Sequence, residues 1–264
     1  MICRMQRIIQ ILPDVPSIVG RAAEMIATRI RSAIAQRGRC TFALSGGTSV
    51  GSVFDLLVAD AGIEWSKVFL FWGDDRFVDQ SNPYSSYKLA EEKLLTRAPG
   101  LPRTNVFPVP VSAPTPAEGA KRYSQTIRQF FDLAPGQWPR FDLAINGMGP
   151  DGHTASLFPH SAALEVQDEI AVMNHAGLSP WVDRVTLTFP VFNHARCVLF
   201  MASGSGKART LKTILEGERD ILAHPTQGIA PADGAVIWLL EPSIATQLDA
   251  TILAAGPGER GQAQ

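Results

Sequence analysis

Short, almost wholly apolar runs that each end in a polar, glycine-bearing turn are the feature that most constrains this chain. The first, Cys40–Leu44, passes into Ser45-Gly46-Gly47-Thr48-Ser49 and then into a helical pattern at 53–58. The second, Val68–Trp72, ends in Gly73-Asp74-Asp75-Arg76, ahead of a Ser/Asn/Pro turn and a helical stretch from about 84 to 95. The third, 141–145, delivers the stretch NGMGPDGHTASLFP, residues 146–159. Runs this short, without polar alternation, fit strands covered on both faces. Around them the spacing of Ile18, Ala22, Ala23, Ile26, Ile30 and Ile34 predicts a helix over Val15–Arg37, capped by Asp14 or Ser17 and stopped by Gly38.

A proline-rich surface connection fills 99–116, and a helix follows over about 117–131. Further strands are expected at 170–173, 185–188, Cys197–Ala202 and Ala235–Leu240, with a helix near 208–215. No internal repeat is visible. Helices alternating with short apolar strands predict an α/β fold with a mostly parallel sheet flanked by helices. In such sheets ligands bind outside the carboxyl ends of the strands, where the polar turns fall.

A chain of 264 residues that is 45% hydrophobic can bury an ordinary core, and 1–264 is read as a single α/β domain with room for a small subdomain. Twenty-four basic residues against twenty-five acidic ones leave a formal charge of −1, no bulk reason to expect nucleic acid or an anionic membrane as partner. A small anionic ligand is unaffected by that balance. Cys3, Cys40 and Cys197 are far apart and in no metal spacing, so they read as buried free thiols suited to a reducing compartment. The apolar run 8–12 ends at Pro13 with no cleavage signal, and no run approaches the ~18 residues that cross a bilayer. A cytoplasmic location is expected.

Three of the turns carry anion-binding chemistry. Ser45-Gly46-Gly47-Thr48 joins a strand to a helix, so its backbone N–H groups and the helix dipole could receive an anion; a plain tight turn is the alternative. The lysine and spacing of a Walker A loop are absent. Arg76 could grip two phosphate oxygens with its planar fork, or form a surface ion pair with a neighbouring aspartate. Lys207, after Gly204-Ser205-Gly206, is a third candidate contact, and alone would read as a solvated lysine. Together, with no nucleotide fingerprint among them, they suggest a compact phosphate monoester.

Gly147, Gly149 and Gly152 have the G-x-G-x-x-G spacing of a dinucleotide site. Pro150 removes an N–H from that loop and Pro159 interrupts the helix that should follow. Asp168 and Glu169 precede the next apolar run instead of ending it, which is the wrong side for a ribose contact. The competing reading makes Asp151-Gly152-His153-Thr154 the active unit: a glycine turn presents an imidazole that is mostly unprotonated at neutral pH and can act as a general base. Asp151 could orient the ring. A structural histidine inside a turn is the bland alternative. His160, His175, His194 and His224 read as structural or surface residues, no Cys/His/carboxylate spacing supports a metal site, and no G-x-S-x-G elbow is present.

LSGGTS (44–49), FWGDDRFVDQSNPYSSY (71–87), FDLAINGMGPDGHTASLFP (141–159), DRVTLTFPVFNHA (183–195), GSGKA (204–208) and PADGAVIWLLEPSIA (231–245) resemble, in that order, the blocks of the 6-phosphogluconolactonase family. DGHTASLFP is the most specific. The resemblance implies hydrolysis of 6-phospho-D-glucono-1,5-lactone without metal or organic cofactor, on a modified Rossmann-like fold shared with glucosamine-6-phosphate deaminases and ribose-5-phosphate isomerases. It implies His153 as the base, with Asp151 beside it, and Ser45, Gly46, Gly47, Thr48, Arg76 and Lys207 around the phosphate, with Arg184 facing the site. The expected partner is the phosphosugar lactone alone, and the expected assembly a monomer or weak homodimer.

Three departures stand out: GDDR where GDER-like stretches are usual, AIN before the glycines where LLG-like sequences are common, and Glu241 where an aspartate is typical. The alternatives are a related phosphosugar isomerase or deaminase, or a non-catalytic phosphosugar-binding module. The first would need a carboxylate after the DGH motif, where Leu157-Phe158-Pro159 stands; the second leaves the retention of Asp151 and His153 together without a purpose.

Overall fold

The computed structural model describes residues 6–177 and 179–253. The first half runs β1 (Gln6–Ile11), α1 (Val15–Arg37), β2 (Cys40–Leu44), α2 (Thr48–Ala59), β3 (Val68–Trp72), β4 (Asp74–Arg76), α3 (Ser86–Ala90), β5 (Val106–Phe107) and α4 (Pro116–Phe131). The second half runs β6 (Leu143–Asn146), β7 (Ala171–Asn174), β8 (Arg184–Leu187), α5 (Phe189–His194), β9 (Cys197–Ala202), α6 (Ala208–Glu216) and β10 (Ala235–Leu240), with two one-turn helices after it.

Seven strands form one sheet in the order β1-β10-β9-β6-β2-β3-β5, every neighbour parallel. From β2 the chain winds outward through β3 to β5; from β6 it winds the other way through β9 to β10. The order therefore reverses between β2 and β6, and the carboxyl ends of these two strands open the crevice where ligands of such sheets bind. Every residue of β2, β6 and β10 is buried, as a sheet covered on both faces requires.

Local signals set the helices. Asp14 accepts the Ser17 N–H at 2.8 Å to start α1, and Gly38 ends it in the left-handed region at φ 74°, its N–H returning to the Ile34 carbonyl. The face Ile18, Ala22, Ile26 and Ile30 of α1 is buried in the core. Phe71 stacks on Phe107 at 4.7 Å and meets Phe130 and Phe141 edge-on, which fills the space between β3, β5 and α4. The buried Tyr123 hydroxyl of α4 accepts the Trp72 N–H and donates to the Trp72 carbonyl, satisfying the last peptide groups of β3.

Three sequence expectations need correction. The run 8–12 was weighed only as a leader, yet it is most of β1, an edge strand parallel to β10. Gly73-Asp74-Asp75-Arg76 is not merely the turn after β3, because 74–76 form β4 of a second, antiparallel sheet ordered β4-β8-β7. Strands 170–173 and 185–188 join that sheet and not the main one. The hydrogen bonding of Gly73 explains the change: its N–H reaches the Leu44 carbonyl in the main sheet, while its own carbonyl takes the Leu187 N–H of the second. Cys40 and Cys197 are buried free thiols, their pKa values raised by burial, to about 11 for Cys197; Cys3 lies outside the described residues. Among the described residues no helix is long and apolar enough to cross a membrane.

At the opposite end of the sheet, the buried Asp142 carboxylate accepts the Thr41 N–H and Oγ1–H at 2.9 and 3.0 Å and binds Arg37 and Arg196. Asp142→Ala strands those donors, so urea unfolding should show a loss of about 2–3 kcal/mol, with phosphate-ligand affinity unchanged because the site lies at the other strand ends.

Candidate active site

The carboxyl end of β2 passes through buried Ser45 to Gly46 and Gly47, and α2 begins at Thr48 with no side chain capping it. Its first-turn N–H groups thus have no intrahelical partner and carry the positive end of the helix dipole. Gly46 is needed for close approach: a Cβ there would lie 2.6 Å from Ser86 Oγ and 3.2 Å from Arg76 Nη1. The Arg76 guanidinium therefore rests against the glycine turn, donating to the Tyr84 carbonyl at 3.0 Å. Among the described residues it makes no ion pair, and its aspartate neighbours are engaged elsewhere.

Asp75, buried, accepts the N–H groups of Arg76, Ser86 and Tyr87 and the Ser85 hydroxyl. It ties the 84–87 loop to β4 and so sets where Arg76 stands. Burial pushes its carboxyl up to about 6, against the pull of those N–H donors. Asp74 accepts Ser156 Oγ–H at 2.6 Å, which fastens β4 to the segment after His153.

Arg184 lies directly opposite Arg76 in the β4–β8 pairing. Opposed residues of an antiparallel pair stand about 4.5–5.5 Å apart at Cβ, where like charges repel. Arg184 is 2% exposed, its Nη2 donates to the Pro180 carbonyl at 3.1 Å, and its buried Nη1 has no hydrogen-bond partner among the described residues. Burial and then the charge of Arg76 lower its pKa, with Asp74 and Asp75 pulling back. A buried unpartnered guanidinium nitrogen facing a second arginine is the arrangement an oxyanion satisfies.

The carboxyl end of β6 carries the other half. Asn146 Nδ2–H donates to Thr154 Oγ1, whose hydroxyl donates to the Gly147 carbonyl, and the Gly149 N–H closes the turn on the His153 carbonyl. His153 Nδ1 is 2.6 Å from Asp151 Oδ1, which also accepts the His153 N–H. With Asp151 ionised, this contact puts the ring proton on Nδ1 and leaves the Nε2 lone pair available. Burial would raise the Asp151 pKa, but the hydrogen bonds and charge of His153 outweigh it and hold the group below the ordinary carboxylate range. Phe158 packs on the imidazole at 5.0 Å between ring centres. A Cβ on Gly149 would overlap the His153 ring and the Asp151 carboxylate. The second glycine of the dinucleotide-like spacing makes room for that pair, and no helix follows the third: residues 154 and 157 instead form an isolated bridge.

After β9, the Gly204 N–H is held by Glu241 Oε1, and Lys207 Nζ donates to the Met148 carbonyl at 2.9 Å. Lys207 thus contacts the His153 turn, with its pKa lowered by burial. The candidate residues fall into two groups at one sheet edge, Ser45 to Thr48 with Arg76 and Arg184, and Asp151 with His153 and Lys207. Asn146 and Ser156 are not singled out from sequence; for Asn146 the available signal is a polar side chain at the end of an apolar strand. Among the described residues no cluster of three His, Cys, Asp or Glu is placed to hold a metal ion.

Fold and site define an α/β protein with an open helix N-terminus, two facing arginines and an aspartate-paired histidine along one sheet edge. The profile described as glucosamine-6-phosphate isomerases/6-phosphogluconolactonase matches residues 13–238. A 6-phosphogluconolactonase of Nostoc sp. is 36% identical over 244 residues, covering 92% of this chain and 99% of its own, and one of Synechocystis sp. is 37% identical over 233, covering 88% and 95%. Among solved structures, the 6-phosphogluconolactonase of Trypanosoma cruzi superposes with a TM-score of 0.81 at 26% identity, covering 94% of this chain and 98% of its own. A monomeric glucosamine-6-phosphate deaminase shares the fold, with a TM-score of 0.76 at 14% identity over 90% of this chain and 99% of its own. The chain belongs to the glucosamine-6-phosphate isomerase/6-phosphogluconolactonase family, among the 6-phosphogluconolactonases.

Gly149→Ala should drive the imidazole off Asp151. The hydrogen-bonded Nδ1–H proton resonance of His153 is then expected to vanish from the NMR spectrum, and its persistence unshifted would contradict this account of the glycine.

Proposed function

We propose that this chain hydrolyses 6-phospho-D-glucono-1,5-lactone to 6-phospho-D-gluconate, with His153 as general base. The observation that carries the mechanism is the 2.6 Å His153 Nδ1–Asp151 contact, which leaves Nε2 as the free basic atom at the strand edge. The phosphate group is held by the first-turn N–H groups of α2 with Arg76 and Arg184. Binding energy from that remote anion positions the lactone carbonyl near His153.

Nε2 takes a proton from water as the water oxygen attacks C1, giving a tetrahedral alkoxide. Collapse breaks the bond between C1 and the ring oxygen, and the imidazolium returns its proton to that oxygen. One water is consumed, and the product carries a carboxylic acid at C1 and a hydroxyl at C5. Asp151 stabilises the transient imidazolium. Lys207, whose Nζ reaches the Met148 carbonyl of the His153 turn, is the cation placed to serve the phosphate or the developing oxyanion.

The isomerase or deaminase reading is disfavoured by the residues after the DGH motif, where Leu157 and Phe158 are buried and Phe158 covers the imidazole with no carboxylate among them. Two buried free thiols support a cytoplasmic setting, and a monomer or weak homodimer is the proposed assembly, which sedimentation tests.

Hydrolysis of freshly made lactone, measured above its spontaneous rate, is the deciding experiment, with glucosamine 6-phosphate deamination as the control reaction. His153→Ala should lower kcat by about 10²–10⁴-fold with 6-phosphogluconate affinity nearly intact; equal turnover in both proteins would remove the assignment. Arg76→Ala and Arg184→Met should chiefly weaken 6-phosphogluconate binding, read by calorimetry, and unchanged affinity in both would refute the clamp.

A further inference from the structure

The turn that carries His153 is restrained by side chains reaching its carbonyl groups from elsewhere in the chain. Lys207 Nζ holds Met148 O, and Thr210 Oγ1–H donates to Pro150 O at 2.7 Å. The strongest restraint falls on Gly152, the residue before the histidine. Its carbonyl accepts two hydrogen bonds from a single residue, the Thr226 hydroxyl at 2.8 Å and the Thr226 N–H at 3.0 Å. Thr226 is 2% exposed and lies in the 3-10 turn Pro225–Gly228, which packs on the catalytic turn from behind.

That carbonyl belongs to the peptide joining Gly152 to His153, so its orientation also fixes the His153 N–H. This N–H is one of two donors from His153 that bind Asp151 Oδ1, the other being Nδ1. Gly152 has φ of 86°, in a region that glycine occupies freely, and it has no side chain to resist rotation of the following peptide. Two donors converging on the carbonyl supply the resistance that the glycine lacks. Rotating the peptide would carry the His153 N–H off the carboxylate and loosen the ring from its orienting partner.

We infer that Thr226 is a positioning residue for the His153–Asp151 pair, acting by locking the Gly152–His153 peptide. The inference rests on the lactonase reading for its kinetic consequence, though its structural consequence stands apart from any reaction. Both Thr226 donors are spent on the Gly152 carbonyl, not on the imidazole or the carboxylate.

Thr226→Val keeps the shape and the backbone N–H but removes the hydroxyl donor; Thr226→Ser keeps both donors. In Thr226→Val, kcat for the lactone should fall on the order of 10-fold, with KM and 6-phosphogluconate affinity unmoved, and Thr226→Ser should stay near wild type. Turnover is expressed per 6-phosphogluconate-binding site, so loss of folded protein does not count as loss of rate. The His153 Nδ1–H resonance, identified by its disappearance in His153→Ala, should shift or broaden in Thr226→Val and not in Thr226→Ser. A lower melting temperature with wild-type kcat per site and an unmoved resonance would reduce Thr226 to a purely structural residue and overturn the inference. Should the wild type turn over no lactone, the functional reading fails, and the resonance comparison still decides the role of Thr226.

Discussion

The peptide groups of Gly73 belong to two sheets at once, and the geometry of the anion site depends on that sharing. The N–H of Gly73 continues the main sheet onto Leu44, and its carbonyl receives Leu187 from the small antiparallel sheet. With one residue between β3 and β4, the chain has no slack to turn into solvent. Arg76 is carried two residues past Asp74 to face Arg184. Asp75, drawn inside by the same path, gathers the N–H groups of the 84–87 loop and closes it over Gly46.

Charge and packing divide the labour between the two halves of the crevice. On the β2 side, a helix start and two guanidiniums, that of Arg184 buried, concentrate positive potential that attracts an anion. On the β6 side, the arrangement depends on exact placement, supplied by the missing Cβ of Gly149 and by hydrogen bonds that occupy the turn's carbonyl groups. Ser156 and Asp74 link the two sides, so the His153 turn and the paired arginines are held in one frame.

Much of this was legible in the sequence where local chemistry dictates structure. Asp14 and Gly38 bound α1 as read, and Cys197–Ala202 and Ala235–Leu240 are strands at those limits, because buried parallel strands announce themselves as apolar runs. What failed was long-range. A six-residue edge strand whose pattern is only half-buried does not announce itself as a strand without β10 there to pair with it. Asp74 to Arg76 are polar and read as a turn, yet Thr186, Val185 and Arg184 make them a strand. Lys207 stands out through its glycine turn and through likeness to relatives, whereas its hydrogen bond to the Met148 carbonyl is one that no residue type advertises. Arg184 was noticed through likeness to relatives, and its facing position to Arg76 follows from a register that sequence does not display.

The opposed guanidiniums have a consequence for how the protein persists. Two like charges held across a strand pair, one of them buried with an unused donor, oppose the folded state until an anion lies between them. Any ligand taken up there binds the native chain and not the unfolded one, so it adds to the free energy of unfolding in proportion to the logarithm of its concentration. Resistance to denaturation and proteolysis thereby rises with the concentration of any anion that settles between the two guanidiniums.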